Sequence, residues 1–260
     1  MTSQGYVEQL RVMEVQQALH WLPPGCRILE IGAGVGWQAR ELSRMGHSVE
    51  AVDLAGSTYA AERIWAIRDY DGEHLPFPDR SFDVVYSSNV LEHVEQLSSL
   101  LAEIRRVVKP GGYIVHLVPS ASWRLWTTLT YYPDLLRRAW RSVRGPTRTA
   151  APAPSEDAEH VHSSQRSRRL LRVFVPPAHG LFGNAIEELW YFTRAHWRRR
   201  LSDAELEWHT SRAAGLFYSG SILFGLKLPF SMRRRLAPLL GSSCHLFVLR
   251  KRATPGGIAP

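Results

Sequence analysis

The stretch "ILEIGAGVGWQ", residues 28–38, decides how the rest of the chain reads. An apolar run carries one acid, Glu30, and opens into Gly32, Ala33, Gly34 and Gly36. Bare backbone after a strand lets a ligand lie against the main chain with no Cβ in the way. Loops of this kind hold a pyrophosphate at a helix N-terminus in dinucleotide-binding proteins. Glu30 speaks against a pyrophosphate, because a carboxylate aimed at that spot repels phosphate and suits a cation or an amine. The next apolar segment, "VEAVDL", reaches Asp53 one β-α-β unit further on, where a carboxylate accepts hydrogen bonds from ribose hydroxyls. The loop alone is weak evidence. With Glu30 before it and Asp53 after it, the ligand expected is a positively charged nucleoside.

The surrounding pattern supports that unit. Residues 7–20 predict an amphipathic helix, stopped by "PPG" at 23–25. "RILEIG" is a first strand, "WQARELSRMG" a helix ended at Gly46, and "HSVEAVDL" a second strand. A short helix near 56–63 leads to a third strand near 64–70, and "SFDVVYSS" is a fourth. "QLSSLLAEIRRVVKPGG" is a helix closed by Pro110 and the glycine pair, and "YIVHLVP" a fifth strand. Helices alternating with near-continuous apolar strands predict an α/β fold with a parallel sheet covered on both faces. Residues 120–180 break the rhythm, with "TRTAAPAPSEDAEH" reading as a linker. A helix from 185, a strand at 206–211 and a last strand, "CHLFVLRK", follow.

The chain has 260 residues, 45% hydrophobic and 22% charged, which fits one large domain or one domain with an insertion. Cys26 and Cys244 are too few for a disulfide framework, so a reducing, cytoplasmic setting is expected. The first residues show no signal-peptide pattern, and no apolar run reaches the roughly 18 residues of a membrane span. The net charge of +8 is concentrated after residue 136, in "RRAWRSVRGPTR", "RSRRLLR", "HWRRR" and "MRRR". These runs read as solvated helix faces, or as contacts to anionic lipid or a phosphorylated acceptor. A nucleic-acid partner is not expected.

Residues 28–118 resemble the core of class I S-adenosylmethionine-dependent methyltransferases, in the small-molecule and ubiquinone-type branch (methyltransferase domain 11-like). "ILEIGAGVG" is similar to their first motif and "VEAVDL" to their second. "YDGEHLPFPDRSFDVVYSSNVLEHV" and "EIRRVVKPGGYIV" are similar to the stretches around strands four and five. The resemblance implies a Rossmann-like, doubly wound, mostly parallel seven-stranded sheet whose last strand is antiparallel, with an inserted lid after strand five. It implies three parts: a cofactor-binding core over 1–118, a lid over the acceptor pocket at 119–180, and a C-terminal completion of the sheet at 181–260. The cofactor implied is S-adenosyl-L-methionine, leaving S-adenosyl-L-homocysteine. Glu30 and the Gly32, Ala33, Gly34, Gly36 loop then face its amino-acid part. Asp53 holds the ribose, Leu54 lies on the adenine, and Asp71 and Gly72 bind the adenine edge. Ser88 and Asn89 flank the methionine moiety.

Methyl transfer from a sulfonium needs in-line positioning and exclusion of water; a hydroxyl acceptor also needs a base. His179, in "VPPAHGLFGNAIEELWYF", and His93, in "NVLEHV", are the candidates, with Asn184 and Glu187 expected along the same pocket. His116 is expected at the mouth of the site. His160 and His162 have metal-like spacing but no clustered acid, so no metal is expected. The reaction expected is O-methylation of a small-molecule, sugar or lipid-linked acceptor. The alternatives are N- or C-methylation, or a non-catalytic cofactor-binding partner subunit. "GLFYSGSILFGLKLPFSMRRR", aromatic and then basic, adds an anionic membrane surface as a partner and a peripheral place at the inner membrane face. Oligomeric state is not legible.

Overall fold

The computed structural model describes residues 3–143, 176–181, 183–203, 205–220 and 228–252. The Pro/Ala-rich linker and the pair His160 and His162 lie outside these residues.

Seven strands form one sheet: β1 (Arg27–Ile31), β2 (Ser48–Leu54), β3 (Arg68–Tyr70), β4 (Phe82–Ser88), β5 (Val108–Pro119), β6 (Leu206–Ala213) and β7 (Cys244–Lys251). Their order is β3-β2-β1-β4-β5-β7-β6. β1 to β5 are mutually parallel, and β7 runs antiparallel between β5 and β6. The central strands are buried on both faces because their sequences are apolar at consecutive positions: Ile28, Leu29 and Ile31 in β1, Val84, Val85 and Tyr86 in β4. Each such aliphatic side chain contributes roughly 1.5–3 kcal/mol on leaving water.

Helices cover the sheet: α1 (Ser3–Ala18), α2 (Trp37–Arg44), α3 (Leu97–Val107), α4 (Ala121–Val143), α5 (Glu187–Tyr191), α6 (Arg194–Arg200) and α7 (Phe230–Leu240). α3 turns Leu97, Leu100, Leu101, Ile104 and Val107 inward, the spacing of one helical face. α1 buries Tyr6, Leu10, Glu14 and Ala18, a row at intervals of four that contains one acid.

Two elements differ from expectation. The helix expected near 56–63 is a single 3-10 turn, Ala60–Glu62, and the third strand, expected near 64–70, is the three residues Arg68–Tyr70. β5 starts at Val108, taking the Pro110–Gly112 stretch into the strand. There a register shift between Phe82 and Val84 absorbs the irregular backbone. A Cβ on Gly112 would meet the Asp83 carbonyl oxygen at 2.8 Å, so this glycine serves strand approach and not a helix end.

The strand order reverses between β1 and β4. Ligands of open α/β sheets bind in the crevice at such a point, outside the carboxyl ends of the strands. The Gly32–Gly36 loop leaves β1 there, and Asn89 to His93 leave β4 beside it.

Candidate active site

The loop after β1 is tightly packed. A Cβ on Gly32 would lie 2.3 Å from Val90 Cγ2, and one on Gly36 would lie 2.6 Å from Trp65 Cβ. These two glycines are therefore required by the protein's own neighbours and by positive φ values of 71° and 94°. Gly34 faces the Tyr59 ring, and its N–H donates to Asp53 Oδ2 at 3.0 Å. Ser57 Oγ donates to the same oxygen at 3.0 Å, and the Leu54 N–H donates to Oδ1 at 2.8 Å. The carboxylate that ends β2 thus ties the glycine loop to the following turn. Leu54 is half exposed, and Gly72 comes close to its side chain.

Glu30 is 1% exposed, and its Oε2 has no hydrogen-bond partner. Burial pushes its pKa up to about 8, against the pull of Arg11; Asp53 adds to the rise, and a hydrogen bond from the Ala39 backbone opposes it. Burial changes the charge that the sequence leads one to expect of this acid. At neutral pH, with no cation beside it, Glu30 is mostly protonated. A cationic ligand would draw the proton off and meet a full carboxylate.

At the end of β4, Ser88 and Asn89 turn toward α1. Asn89 adopts a φ of 54°, a left-handed conformation asparagine tolerates better than most residues. Glu14, 2% exposed, accepts from Arg11 Nη1 (3.0 Å), Gln38 Nε2 (3.4 Å), Ser88 Oγ (2.9 Å), Asn89 Nδ2 (3.3 Å) and the Tyr218 hydroxyl (2.7 Å). This one acid joins the N-terminal helix, β4 and the segment before α7. Sequence reading missed it, although its place in the buried row of α1 was the available signal.

Three residues on, the 3-10 turn Leu91–His93 points Glu92 inward and leaves His93 partly exposed. The Glu92 side chain is 0% exposed, and neither of its oxygens has a hydrogen-bond partner. His179 Nε2 lies 3.6 Å from Glu92 Oε1, and His93 Nε2 lies 4.0 Å from it. The His93 and His179 ring centroids are 5.1 Å apart, and Trp123 packs 4.5 Å from His179.

His179 is firmly placed. The N–H groups of His179 and Gly180 both donate to Glu188 Oε1 at 2.7 Å, and the Leu181 N–H donates to the Glu92 carbonyl at 3.1 Å. Glu188 is fully buried and pairs with Arg124 Nε at 3.1 Å. Burial raises the Glu188 pKa, while the two amides and Arg124 pull against it. Arg124 in turn donates to the Pro177 carbonyl at 2.8 Å. A cavity of about 290 Å³ opens beside Glu92 and Gly180, walled by Tyr191, Phe192, Trp197 and Arg200.

The structure thus brings His93 and His179 together. Asn184 and Glu187, expected along the pocket, form the cap of α5 instead: Asn184 Oδ1 accepts from the Ile186 and Glu187 N–H groups, and Glu187 Oε2 accepts from the Asn184 N–H. His116, expected at the mouth of the site, is fully buried within the sheet, 2.7 Å from Ser87 Oγ, and burial pushes its pKa down to about 3. Asp71 is exposed and accepts from the Glu73 and His74 N–H groups, which hold its pKa down to about 2. Glu92, Glu188 and Arg124 were not found from sequence. The spacing from His179–Gly180 to Glu188 is visible there, but its meaning depends on a loop folding back onto a helix end.

The donor set at the crevice suits a nucleoside bearing positive charge. Glu30 offers an orphaned buried oxygen, Asp53 a carboxylate at the end of β2, and Leu54 an exposed apolar face.

Residues 29–116 match the model of a family described as "Methyltransferase domain". A demethylmenaquinone methyltransferase from Tropheryma whipplei (strain Twist) is 29% identical over 131 residues, 44% of this chain and 54% of that protein. A ubiquinone biosynthesis O-methyltransferase from Rhodopseudomonas palustris is 25% identical over 177 residues, 64% of this chain and 65% of that protein. The chain therefore spans between half and two thirds of the length of these relatives. The fold is that of an S-adenosylmethionine-dependent methyltransferase from Mesorhizobium loti, with a TM-score of 0.51 at 19% identity over 92% of this chain and 98% of that one.

Proposed function

We propose that the chain, whose residues 29–116 match a family described as "Methyltransferase domain", is an S-adenosylmethionine-dependent methyltransferase that transfers a methyl group to a hydroxyl of a small-molecule, sugar or lipid-linked acceptor. The observation that carries the choice of oxygen is the pair of histidines gathered at a buried carboxylate beside the crevice. Nothing comparable is needed for an acceptor that is already nucleophilic.

The cofactor of this class, S-adenosylmethionine, supplies a methyl carbon made electrophilic by its sulfonium. In this reading Glu30, with Gly32, Ala33, Gly34 and Gly36, receives the cationic amino-acid part. Asp53 binds the ribose hydroxyls, and Leu54, Asp71 and Gly72 border the adenine. Ser88 and Asn89, fixed by Glu14, line the methionine side. The acceptor enters through the cavity at Glu92, where the segment after β5 acts as the lid. His179 or His93 would take the proton of the acceptor hydroxyl as its oxygen accepts the methyl group that the cofactor would supply, the sulfur keeping the electron pair of the bond it gives up. The aromatic walls exclude water, which would otherwise compete as acceptor.

The relatives' names support a small or lipid-like acceptor: demethylmenaquinone for one, ubiquinone biosynthesis for the other. No helix among the described residues is long and apolar enough to cross a membrane, and the basic segments give a peripheral anionic contact as the membrane role of this reading.

Calorimetric titration with S-adenosylmethionine and with NAD⁺ tests the first half. Binding of NAD⁺ without S-adenosylmethionine would end it. Release of S-adenosylhomocysteine with a panel of phenolic, sugar and lipid-linked hydroxyl acceptors, set against matched amines, tests the second. Turnover on amines alone would move the acceptor atom from oxygen to nitrogen.

A further inference from the structure

We infer that Glu92, His93 and His179 form a binding site for a divalent metal ion of the zinc class. Among the described residues they are the set of three whose ligand atoms, one from each, all lie within 4.8 Å of one another. The stronger observation is the state of Glu92. Its side chain is 0% exposed and both oxygens lack a hydrogen bond. A buried carboxylate is normally hydrogen-bonded, paired or bound to a metal. The histidines stand 3.6 Å and 4.0 Å from Oε1, outside hydrogen-bond reach but near the ligand separations of a tetrahedral site. With bonds of about 2.0–2.1 Å to zinc, those separations are about 3.4 Å. The three ligand atoms, now within 4.8 Å of one another, would draw closer together on binding.

Two histidines and one carboxylate are a zinc-binding set that leaves a coordination position open. The backbone of His179 is held in place by Glu188, which accepts from the N–H groups of His179 and Gly180 and pairs with Arg124. His196 and Arg200 also line the cavity, and the positive charge of Arg200 acts on Glu92 from α6. The expectation of no metal rested on the absence of a clustered acid beside His160 and His162. The fold supplies an acid beside two other histidines, by laying the 176–181 segment across the turn after β4.

The ion's role rests on the methyl-transfer reading; its binding does not. In the open position it would take the acceptor hydroxyl and lower its pKa, as zinc lowers that of bound water to about 7. With the ion bound, the acceptor proton would leave to water, because the two histidines that serve as bases in the metal-free reading would be its ligands.

The test uses the full chain, stripped with a chelator and titrated with zinc chloride by calorimetry and with cobalt(II) by visible absorbance. One zinc per chain is expected, with the intense bands of four- or five-coordinate cobalt. Affinity falls at least tenfold in Glu92→Gln, His93→Ala and His179→Ala, and is unchanged in His20→Ala. His93→Ala alters a partly exposed side chain, so it keeps the test valid if Glu92→Gln unfolds. No zinc binding, or wild-type affinity retained in the three variants, overturns the site and leaves an imidazolium–carboxylate cluster only. Zinc binding without any methyl transfer would remove the reaction and keep the site.

Discussion

Glu30→Gln is the substitution that most directly tests the electrostatics of the glycine loop. In the folded chain burial lifts this carboxyl from 4.5 to about 8. Between those values the native state holds a proton that the unfolded state has lost, so stability from this group falls as pH rises from about 4.5 and levels off above about 8. At about 1.36 kcal/mol per pKa unit, the loss between pH 5 and pH 8 is roughly 3–4 kcal/mol. Glutamine keeps an acceptor for the Ala39 amide and cannot ionise, so this component of the pH dependence disappears. The assay is denaturant unfolding of both proteins at pH 5 and pH 8. The quantity of interest is the difference of the two differences, from which every other titrating group cancels. Glu30→Gln is expected to be the more stable protein at pH 8 and to bind S-adenosylmethionine more weakly. Equal pH slopes for the two proteins would show that Glu30 is charged in the fold, and the coupling between cation binding and proton release would fall with it.

Other variants separate binding from packing. Asp53→Ala should weaken S-adenosylhomocysteine binding by calorimetry at least tenfold, about 1.4 kcal/mol. Because the side chain also holds the Gly34 N–H and Ser57, about 1–2 kcal/mol of stability should go with it. An unchanged affinity would remove Asp53 from the ribose. Gly32→Ala places a methyl at 2.3 Å from Val90 and should cost about 3 kcal/mol in denaturant unfolding, while Gly34→Ala, with Tyr59 at 3.5 Å, should cost about 1 kcal/mol. Equal costs would mean that the loop relaxes freely. His179→Ala should lower kcat more than it lowers cofactor affinity; a rate within twofold of the wild type would make the histidine structural.

The sheet was legible because its signals are local. β1, β4 and β7 are apolar at nearly every position, and Gly46 marks the end of α2 where the period changes. Glu30, the loop and Asp53 were legible for the same reason: one β-α-β unit holds them together in sequence. The site around Glu92 was not. Its parts come from the turn after β4, the 176–181 segment, α4 and α5, and only tertiary packing brings them together. Polar residues also misled where they were spent locally. Asn184 and Glu187 close a helix cap, and Asp71 closes a turn, so their chemistry was visible but its address was not. Glu14 was hidden in the opposite way, since an acid on an amphipathic helix reads as solvated until its neighbours in the same row prove to be buried.

Glu14 also sets the smallest piece of chain that can be worked with. The matched segment begins at residue 29, yet the acceptor for Ser88 and Asn89 arrives from upstream, and the Tyr218 hydroxyl arrives from far downstream. A recombinant fragment trimmed to the family boundaries would keep the loop and lose the clasp that fixes the far wall of the crevice. Ends chosen for crystallisation, fusion or tagging therefore belong outside residue 3 on one side and beyond β7 on the other.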